Sequence, residues 1–405
     1  MSRAPKSRRG RGFAAPLVGL LLAALPFAPG SAAGQTDGVP GDGVFADSIV
    51  FGQSAALSGA AHRLGDNMGL GVLAAFDEAN RAGGVLGRML RLVVRDDRYE
   101  AEAAVSNTRE LISSGVFGLI GAVGTPTSRV AEPIASEAGV PYIGAFTGAE
   151  LLRGPSQRHV VNLRASYYQE TEEMVERLTA DLGFTRIAIL YQDDSYGLAG
   201  LNGTRRALGR RGMTLVAAGT YVRNTAAVKR ALLRIRDARP QAVIIIGAYR
   251  PAAEFIKWAG KIGLRSVFVN LSFVGSNALL EELGPHGEGV IVTQVVPFPR
   301  DVSIPVVADY QEAIRAFDPQ ALPGFVSLEG YLAGRLVVEV LRGLSDAPEG
   351  APTREGFLRA LTEMSPLDLG GFVVEYGPGD NQGSDVVFLT VIRDGRFVPV
   401  ERLSR

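Results

Sequence analysis

Short apolar runs bounded by Gly and Pro alternate with longer amphipathic stretches along most of the chain. Residues 116–120, 186–191 and 242–246 are apolar at nearly every position, which is typical of strands buried on both faces of a parallel sheet. Between such runs, stretches such as 67–81 and 251–262 repeat apolar side chains at helical spacing. Because parallel strands need a crossover connection, the pattern predicts strand–helix–strand units.

These units occur twice, over residues 48–148 and again over 186–273. We therefore predict an α/β protein with two doubly wound parallel-sheet lobes and a cleft between them. The segments after residue 287 continue the pattern in an interleaved order, which predicts several chain crossings that act as a hinge. The predicted ranges are 47–163 with 294–383 for lobe 1, and 164–293 with 384–405 for lobe 2.

The stretch 116–153 carries the most information about function. Its strands at 116–120 and 140–143 flank a predicted helix at 128–138, so both strands end at the same edge of the sheet. The loops 121–127 and 145–149 should then face one crevice, where open α/β sheets bind ligands. Pro133 lies inside the predicted helix, so we expect a later helix start or a kink.

Hydroxyl side chains are concentrated in these two loops. Thr125, Thr127, Ser128 and Thr147 lie near the free N–H groups of a helix start, an arrangement that suits an anionic small molecule such as a carboxylate. The alternative is that Ser128 only caps its helix and that the threonines fill turns. The sequence leaves both open, and the pairing of the two loops favours a binding site.

The N-terminus has the three parts of a secretory signal: a basic start, an apolar run of about 15 residues and small residues ending at Ala33. We predict a signal peptide at 1–33, a disordered leader at 34–46 and a periplasmic protein. The chain has no Cys, so it cannot be a lipoprotein with a lipid-modified N-terminal cysteine. The remaining apolar runs are too short to span a membrane.

Charge and motifs exclude several function classes. The chain has 42 basic and 42 acidic residues, and five basic residues but no acidic one lie in the first 33, so the exported part has a net charge of −5. This balance disfavours nucleic-acid binding. The three histidines lie far apart, and no hydrolase, zinc-protease or P-loop motif occurs. We predict no metal site, no cofactor and no enzymatic activity; the pairs Asp96-Asp97 and Asp193-Asp194 are expected to serve turns and helix caps.

Several ordered stretches resemble one family. They are FGQSAALSGAAHRLGDNMGLGVLAAFDEANRAGGVLGRMLRLVVRDD from residue 51, IGAVGTPTSRVAEPIASEAGVPYIGAFTGAELLR from 120, RIAILYQDDSYG from 186 and IIIGAYRPAAEFIKWAGKIGL from 244. The chain resembles the leucine/isoleucine/valine-binding family, the substrate-binding proteins of branched-chain amino-acid-type ABC transporters. The match runs from about residue 48 to 296 and weakens towards the end. It implies a type I periplasmic binding fold, with two lobes joined by three hinge strands.

The resemblance also implies a ligand site in the cleft. Thr125 and Thr147, with the Phe146 backbone, match the family positions that hold the ligand's carboxylate and ammonium, and Leu64 lies in a nearby loop. Tyr196 and Tyr249 match family positions that face the cleft from the second lobe. Together with Thr127 and Ser272, these residues are the predicted ligand-binding set.

One position departs from the family pattern. Amino-acid binders carry an acidic residue that holds the ligand's ammonium, and the matching position here is near Ser272, with no acid between residues 266 and 280. A buried ammonium without a carboxylate partner is costly. Either another acid such as Asp194 takes that place, or the ligand is not an α-amino acid. Leu64 and Phe146 would give the first-lobe wall an apolar character.

Three functions fit these observations to different degrees. The resemblance favours a periplasmic receptor that traps a small organic molecule and delivers it to an ABC permease. A sensory binding subunit that signals to a membrane receptor or kinase is the alternative. An exported hydrolase on the same fold would need an activated nucleophile or paired carboxylates in the cleft, and the sequence indicates neither.

Overall fold

The computed structural model describes residues 42–344 and 352–404. The predicted signal peptide and residues 34–41 of the predicted leader lie outside the described residues. Val44, at the far end of the leader, is buried and forms an antiparallel bridge with Ile49. This end of the leader is therefore packed against the first strand.

Lobe 1 is built on a five-stranded sheet in which all neighbouring strands are parallel. The strand order is β2-β1-β3-β4-β5. Its strands are β1 (Ser48–Ala55), β2 (Met89–Asp96), β3 (Gly118–Ile120), β4 (Tyr142–Ile143) and β5 (Val160–Val161). Its helices are α1 (His62–Arg81), α2 (Ala101–Ser113), α3 (Thr125–Glu137), α9 (Pro305–Phe317), α10 (Phe325–Gly343) and α11 (Arg354–Glu363).

Lobe 2 is built on a seven-stranded sheet of order β14-β13-β10-β9-β8-β6-β7. Strands β6 to β10 pair in parallel, and the last two pair antiparallel. Its strands are β6 (Ile187–Gln192), β7 (Ala217–Tyr221), β8 (Ala242–Ile246), β9 (Val267–Asn270), β10 (Ile291–Gln294), β13 (Phe388–Arg393) and β14 (Arg396–Val400). Its helices are α4 (Tyr167–Glu176), α5 (Ser195–Gly209), α6 (Lys229–Asp237), α7 (Tyr249–Lys261) and α8 (Ser276–Leu283).

Strand β8 shows why these residues form this sheet. All five of its side chains are completely buried, since it lies in the middle of the sheet with helices on both faces. The short strands β11 (Leu367–Asp368) and β12 (Val373–Val374) form a separate small hairpin. The structure thus confirms the predicted α/β class with two doubly wound lobes. The antiparallel β13–β14 hairpin, which the sequence predicts over residues 386–400, forms one edge of the lobe 2 sheet.

The chain passes between the lobes three times, at residues 162–166, 295–304 and 375–387. The first and third crossings are tied together, because the Asn162 N–H donates to the Asn381 carbonyl (2.8 Å) and the Gly383 N–H donates to the Asn162 carbonyl (2.8 Å). Each proposed lobe boundary lies in or next to one of these crossings, and the boundaries remain a prediction. Among the helices of the described ranges, none is both long and apolar enough to cross a membrane.

Helices α1 and α10 cross with their backbones in direct contact on one face of lobe 1. A methyl group on Gly330 would lie 2.2 Å from the Met68 carbonyl oxygen, and one on Gly71 would lie 1.9 Å from the Ser327 carbonyl oxygen. The Tyr331 hydroxyl donates to Glu78 across the same crossing (2.6 Å). Close packing of these two helices fixes α1, the helix that carries Leu64, within lobe 1.

Gly330→Ala should lower the free energy of unfolding by about 1–3 kcal/mol, because the added methyl group must push two helix backbones apart. Urea unfolding of the two proteins measures the difference. The matched control is Gly260→Ala in α7, where an added methyl group meets open space, and alanine there should stabilise by about 0.5–1 kcal/mol. Equal effects of the two substitutions would contradict the close crossing.

Candidate ligand-binding site

The loops that follow β3 and β4 lie side by side. Val123 and Phe146 form a parallel bridge, the Phe146 N–H donates to the Ala122 carbonyl (2.7 Å), and the Gly124 N–H donates to the Phe146 carbonyl (3.2 Å). Because β3 and β4 are neighbouring parallel strands, their loops leave the sheet at the same edge. The predicted pairing of the two loops is confirmed.

Helix α3 begins at Thr125, so the prediction that it starts at residue 128 is wrong. Pro126 occupies the first turn, where its missing N–H costs nothing, and Pro133 lies inside the helix. The hydroxyls of Thr125 and Thr127 therefore belong to the first helical turn, whereas Thr147 lies in the loop after β4. Ser128 is not the cap either, since Gly124 precedes the helix and the Ser128 hydroxyl accepts a bond from the Tyr142 hydroxyl (3.0 Å).

Thr125 and Thr147 join the two loops through their side chains. Their hydroxyl oxygens lie 2.7 Å apart, and both residues are completely buried. The Thr147 oxygen also accepts from the Ala149 N–H (3.3 Å). The Thr127 hydroxyl instead donates to the carbonyls of Val123 and Gly124 at the start of its own helix. A ligand role for Thr127 stays a prediction, and its hydroxyl already has backbone partners.

An aromatic cluster occupies the cleft opposite these threonines. The ring of Phe273 from lobe 2 stacks on Phe146 at 5.3 Å and lies 4.5 Å from Tyr196 and 6.0 Å from Tyr99. Tyr167 adds a further ring, 5.5 Å from Tyr196. Phe146 and Tyr196 were predicted to line the cleft, and Tyr99, Tyr167 and Phe273 were missed. Phe273 directly follows the predicted residue Ser272, but no feature of the sequence indicated that its side chain would reach the cleft.

Tyr196 brings a polar atom into this apolar surrounding. It is the second residue of α5, and its hydroxyl is buried without a hydrogen-bond partner among the described residues. Burial raises the pKa of Tyr196 well above its ordinary value, so the hydroxyl is a neutral donor. An unsatisfied buried hydroxyl costs about 1–3 kcal/mol, which a bound ligand with an acceptor atom would recover.

The two lobes are in contact around the predicted residues Leu64 and Tyr249. A methyl group on Gly275 of lobe 2 would lie 2.5 Å from Leu64 Cδ2 of lobe 1 and 3.7 Å from Tyr249 Cδ1. Arg63 pairs with Glu281 across the same gap. At the other end of the cleft, Arg223 of lobe 2 pairs with Glu100 of lobe 1 (2.6 Å) and the Gln192 amide donates to the Tyr99 hydroxyl (3.3 Å). The structure is a closed one.

Ser272 is bound to a carboxylate from another element. The Ser272 N–H donates to Glu170 Oε2 (2.9 Å) and its hydroxyl donates to Oε1 (3.0 Å), while Thr293 and Arg164 supply two further donors at 2.5 and 3.1 Å. Glu170 comes from α4 and is completely buried. No acid follows β9, as the sequence indicates, but a carboxylate lies directly behind Ser272. Sequence reasoning missed it because α4 is about 100 positions away.

Asp194 was the other acid considered as an ammonium partner. One of its oxygens caps α5 by accepting from the N–H groups of Tyr196 (3.0 Å) and Gly197 (3.4 Å). The other accepts from Gln192 (2.7 Å) and Arg223 (3.2 Å). The expected capping role is confirmed, and Asp194 is fully engaged within the protein.

Arg164, in the first crossing, lies close to an acidic side chain from each lobe. Its guanidinium lies 3.1 Å from Glu170 of lobe 2 and 3.5 Å from Glu329 of lobe 1, and all three side chains are buried. It also lies over the ring of Phe146, 5.1 Å from the centroid. Burial raises the pKa of Glu329 to about 7, against the opposing effect of Arg164. We call Arg164, Glu170 and Glu329 the hinge cluster.

This geometry is that of a two-lobed α/β protein whose lobes are in contact around the candidate site. A model of the periplasmic binding protein family matches residues 48–396, so the chain belongs to that family, and the predicted resemblance is confirmed. The Leu/Ile/Val-binding protein homolog 7 of Brucella abortus (strain 2308) is 26% identical over 308 residues, covering 72% of this chain and 76% of the relative. Both proteins are thus matched over most of their length.

Two solved structures are also similar. A possible leucine/isoleucine/valine-binding protein from Rhodopirellula baltica SH 1 superposes with a TM-score of 0.83 at 37% identity, over 91% of this chain and all of that one. A substrate-binding periplasmic protein from Ralstonia solanacearum gives 0.81 at 30% identity, over 87% and 100%. In the described residues, no group of three or more His, Asp or Glu side chains is arranged to hold a metal ion.

Glu329→Gln should change how stability depends on pH. Folded Glu329 keeps its proton up to a pKa of about 7, whereas the unfolded side chain loses it near 4.5. The free energy of unfolding of the wild type should therefore fall as pH rises from about 4.5 to about 7, and this part of the slope should be absent in the variant. Urea unfolding across that range measures it.

Asp97 contributes a slope of the same sign, because burial raises its pKa to about 6. The difference between variant and wild type isolates Glu329, since Asp97 is present in both. Parallel stability curves for the two proteins would contradict a raised Glu329 pKa.

Proposed function

We propose that this protein is the periplasmic receptor of an ABC transporter and that it traps a small organic acid without an ammonium group between its two lobes. The observation that carries the proposal is the Thr125–Thr147 pair, which joins two adjacent loops at the start of α3. A protein exported by the predicted signal peptide would meet its ligand in the periplasm and deliver it to the membrane permease.

The threonine pair suits a carboxylate. Each hydroxyl can turn its hydrogen towards an anion, and the first turn of α3 adds backbone N–H groups that lack partners within the helix. Hydrogen bonds to a charged group of this kind contribute about 1.5–3 kcal/mol each. The guanidinium of Arg164 is taken up within the protein, because it pairs with Glu170 at 3.1 Å and lies 3.5 Å from Glu329, so the hydroxyl and N–H groups would hold the anion.

The aromatic cluster suits an apolar body attached to that carboxylate. Phe146 and Tyr99 provide ring faces from lobe 1, and Tyr196 and Phe273 provide them from lobe 2. Rings bury a large area for a small loss of side-chain freedom. The free Tyr196 hydroxyl adds one donor for a second polar atom of the ligand.

The ammonium of an amino acid has no partner in this arrangement. Glu170 accepts four hydrogen bonds behind Ser272, and Asp194 accepts four at the start of α5. To reach Glu170 or Asp194, a ligand's ammonium would have to displace one of the donors that these carboxylates already bind, at a cost of several kcal/mol. An aliphatic α-amino acid is the second candidate, because the Brucella and Rhodopirellula relatives are named as leucine/isoleucine/valine-binding proteins.

Closure follows from contacts that the ligand makes to both lobes at once. A ligand held by Thr125 and Thr147 on one side and by Tyr196 on the other lowers the free energy of the closed arrangement only. Interlobe pairs such as Arg223–Glu100 then form around it. The closed pair of lobes is the surface that the permease would recognise.

Thermal unfolding of the mature protein against a ligand panel tests the proposal. The panel holds leucine and valine, benzoate and phenylacetate, and phenylacetamide as an uncharged control. A ligand at 100 times its dissociation constant stabilises by about 2.7 kcal/mol. Aromatic or other ammonium-free acids should raise the melting temperature. A rise with leucine or valine alone would overturn the proposed ligand class and leave the receptor role intact.

The double variant Thr125→Ala/Thr147→Ala should weaken the best acid of that panel by about 3–6 kcal/mol, since two hydrogen bonds to a charged group are lost. Isothermal titration calorimetry measures the change. The control is Thr220→Ala/Thr362→Ala, which removes two exposed hydroxyls outside the cleft and should bind like the wild type. Unchanged affinity of the Thr125/Thr147 variant would place the carboxylate elsewhere.

A further inference from the structure

A cavity of about 450 Å³ lies outside the candidate ligand-binding site and is lined by both lobes. Its wall includes α8 and the β13–β14 turn of lobe 2, the second crossing, and the segment before α10 in lobe 1. None of the predicted ligand-binding residues lines it. We call this cavity the side pocket; its size is within the ordinary range of small-molecule sites.

The interior of the side pocket is mainly apolar. Phe325 lies edge-on to Phe298 at 5.7 Å and to Phe397 at 6.0 Å, so three rings from three separate segments meet there. Leu322 stands at its edge with 70% of its surface exposed. Isolated exposed leucines are common on protein surfaces. Leu322, however, extends the apolar surface of a cavity that already contains three phenylalanine rings, and continuous apolar surface of this kind often marks a binding site.

The charged groups of the side pocket are unbalanced. Arg300 and Arg396 line it from two different segments, both are exposed, and neither guanidinium forms an ion pair with a described residue. Glu281 is the one acidic residue of the lining, and Arg63 already pairs with it. An apolar interior with two unpaired cations is complementary to a molecule with an apolar body and a negative head.

We propose that the side pocket binds an amphipathic organic anion, a carboxylate on an apolar chain or ring, and that its occupant favours the closed arrangement of the lobes. The proposal does not depend on the function proposed for the cleft. The apolar body contacts the three phenylalanines, and the carboxylate pairs with Arg300 and Arg396, which both line the pocket.

Binding in the side pocket is coupled to closure of the lobes because the residues that line the pocket come from both lobes. Phe325 and Leu322 are part of lobe 1, whereas Phe397 and Arg396 are part of lobe 2. Beside the pocket the Asn277 amide of lobe 2 donates to the Pro323 carbonyl of lobe 1 (3.1 Å). Separation of the lobes would break up this wall, so a molecule bound there has higher affinity for the closed protein. The side pocket is thus an effector site.

Octanoate is the probe, and isothermal titration calorimetry of the mature full-length protein is the test. Octanoate should bind the wild type, and Arg300→Ala/Arg396→Ala should bind it about tenfold more weakly or worse, as expected for two partly solvated ion pairs. The matched control Arg230→Ala/Arg234→Ala removes two exposed arginines from α6 and should leave the affinity unchanged. Octan-1-ol, which lacks the charge, should bind more weakly than octanoate.

Three results would overturn the side-pocket proposal. The first is the absence of octanoate binding at millimolar concentration, and the second is an affinity that the Arg300/Arg396 variant retains. The third is loss of octanoate binding in Thr125→Ala/Thr147→Ala, which would place octanoate in the cleft and support the cleft proposal instead. For the coupling, octanoate should reduce the radius of gyration measured by small-angle X-ray scattering, and an unchanged radius would contradict it.

Discussion

The position of the candidate site depends on the parallel pairing of β3 and β4. Parallel neighbours end at the same edge of a sheet, and the bonds between Val123, Phe146 and Ala122 extend that pairing beyond the strands. Thr125 and Thr147 are therefore held 2.7 Å apart although 22 positions separate them. Both strands are buried in the middle of the lobe 1 sheet, so the position of the two loops is set by the sheet.

The hinge cluster is the second constraint. Three buried charges stabilise a fold only when their hydrogen bonds are satisfied, and Glu170 meets that condition with donors from Arg164, Ser272 and Thr293. Glu329 meets it less well, with Arg164 at 3.5 Å and a pKa raised to about 7. Arg164 lies next to an acidic side chain in each lobe. Protonation of Glu329 would therefore weaken a contact that holds the two lobes together.

The cleft and the side pocket share a property that single-lobe cavities lack. Each has walls from both lobes, so each exists in its complete form only when the protein is closed. A ligand in either place thus acts on the same equilibrium. Two ion pairs bring the lobes together, the exposed pair of Arg63 with Glu281 and the partly buried pair of Arg223 with Glu100. Solvent-accessible pairs of this kind are individually weak, which suits an interface that must open again.

The sequence by itself determined the alternation of buried strands and amphipathic helices, and hence the two lobes, the family and the pairing of the Thr125 and Thr147 loops. The lobes and the loop pairing follow from local periodicity and from the rule that parallel strands share an edge, whereas the family follows from the resemblance of several ordered stretches to known members. Helix α3 begins three residues before the predicted start, because Pro126 fits the first helical turn, where its missing N–H costs no hydrogen bond.

Only the tertiary structure decided what surrounds Ser272. The sequence showed that no acid follows β9, but Glu170 reaches the same place from α4, and Phe273 and Tyr99 approach each other from opposite lobes. Such contacts join residues 100 or more positions apart through the packing of whole lobes, and no local pattern encodes them. These contacts form because the side chains are buried. Charged groups and rings that are excluded from water must pack against the groups that the closed lobes place next to them.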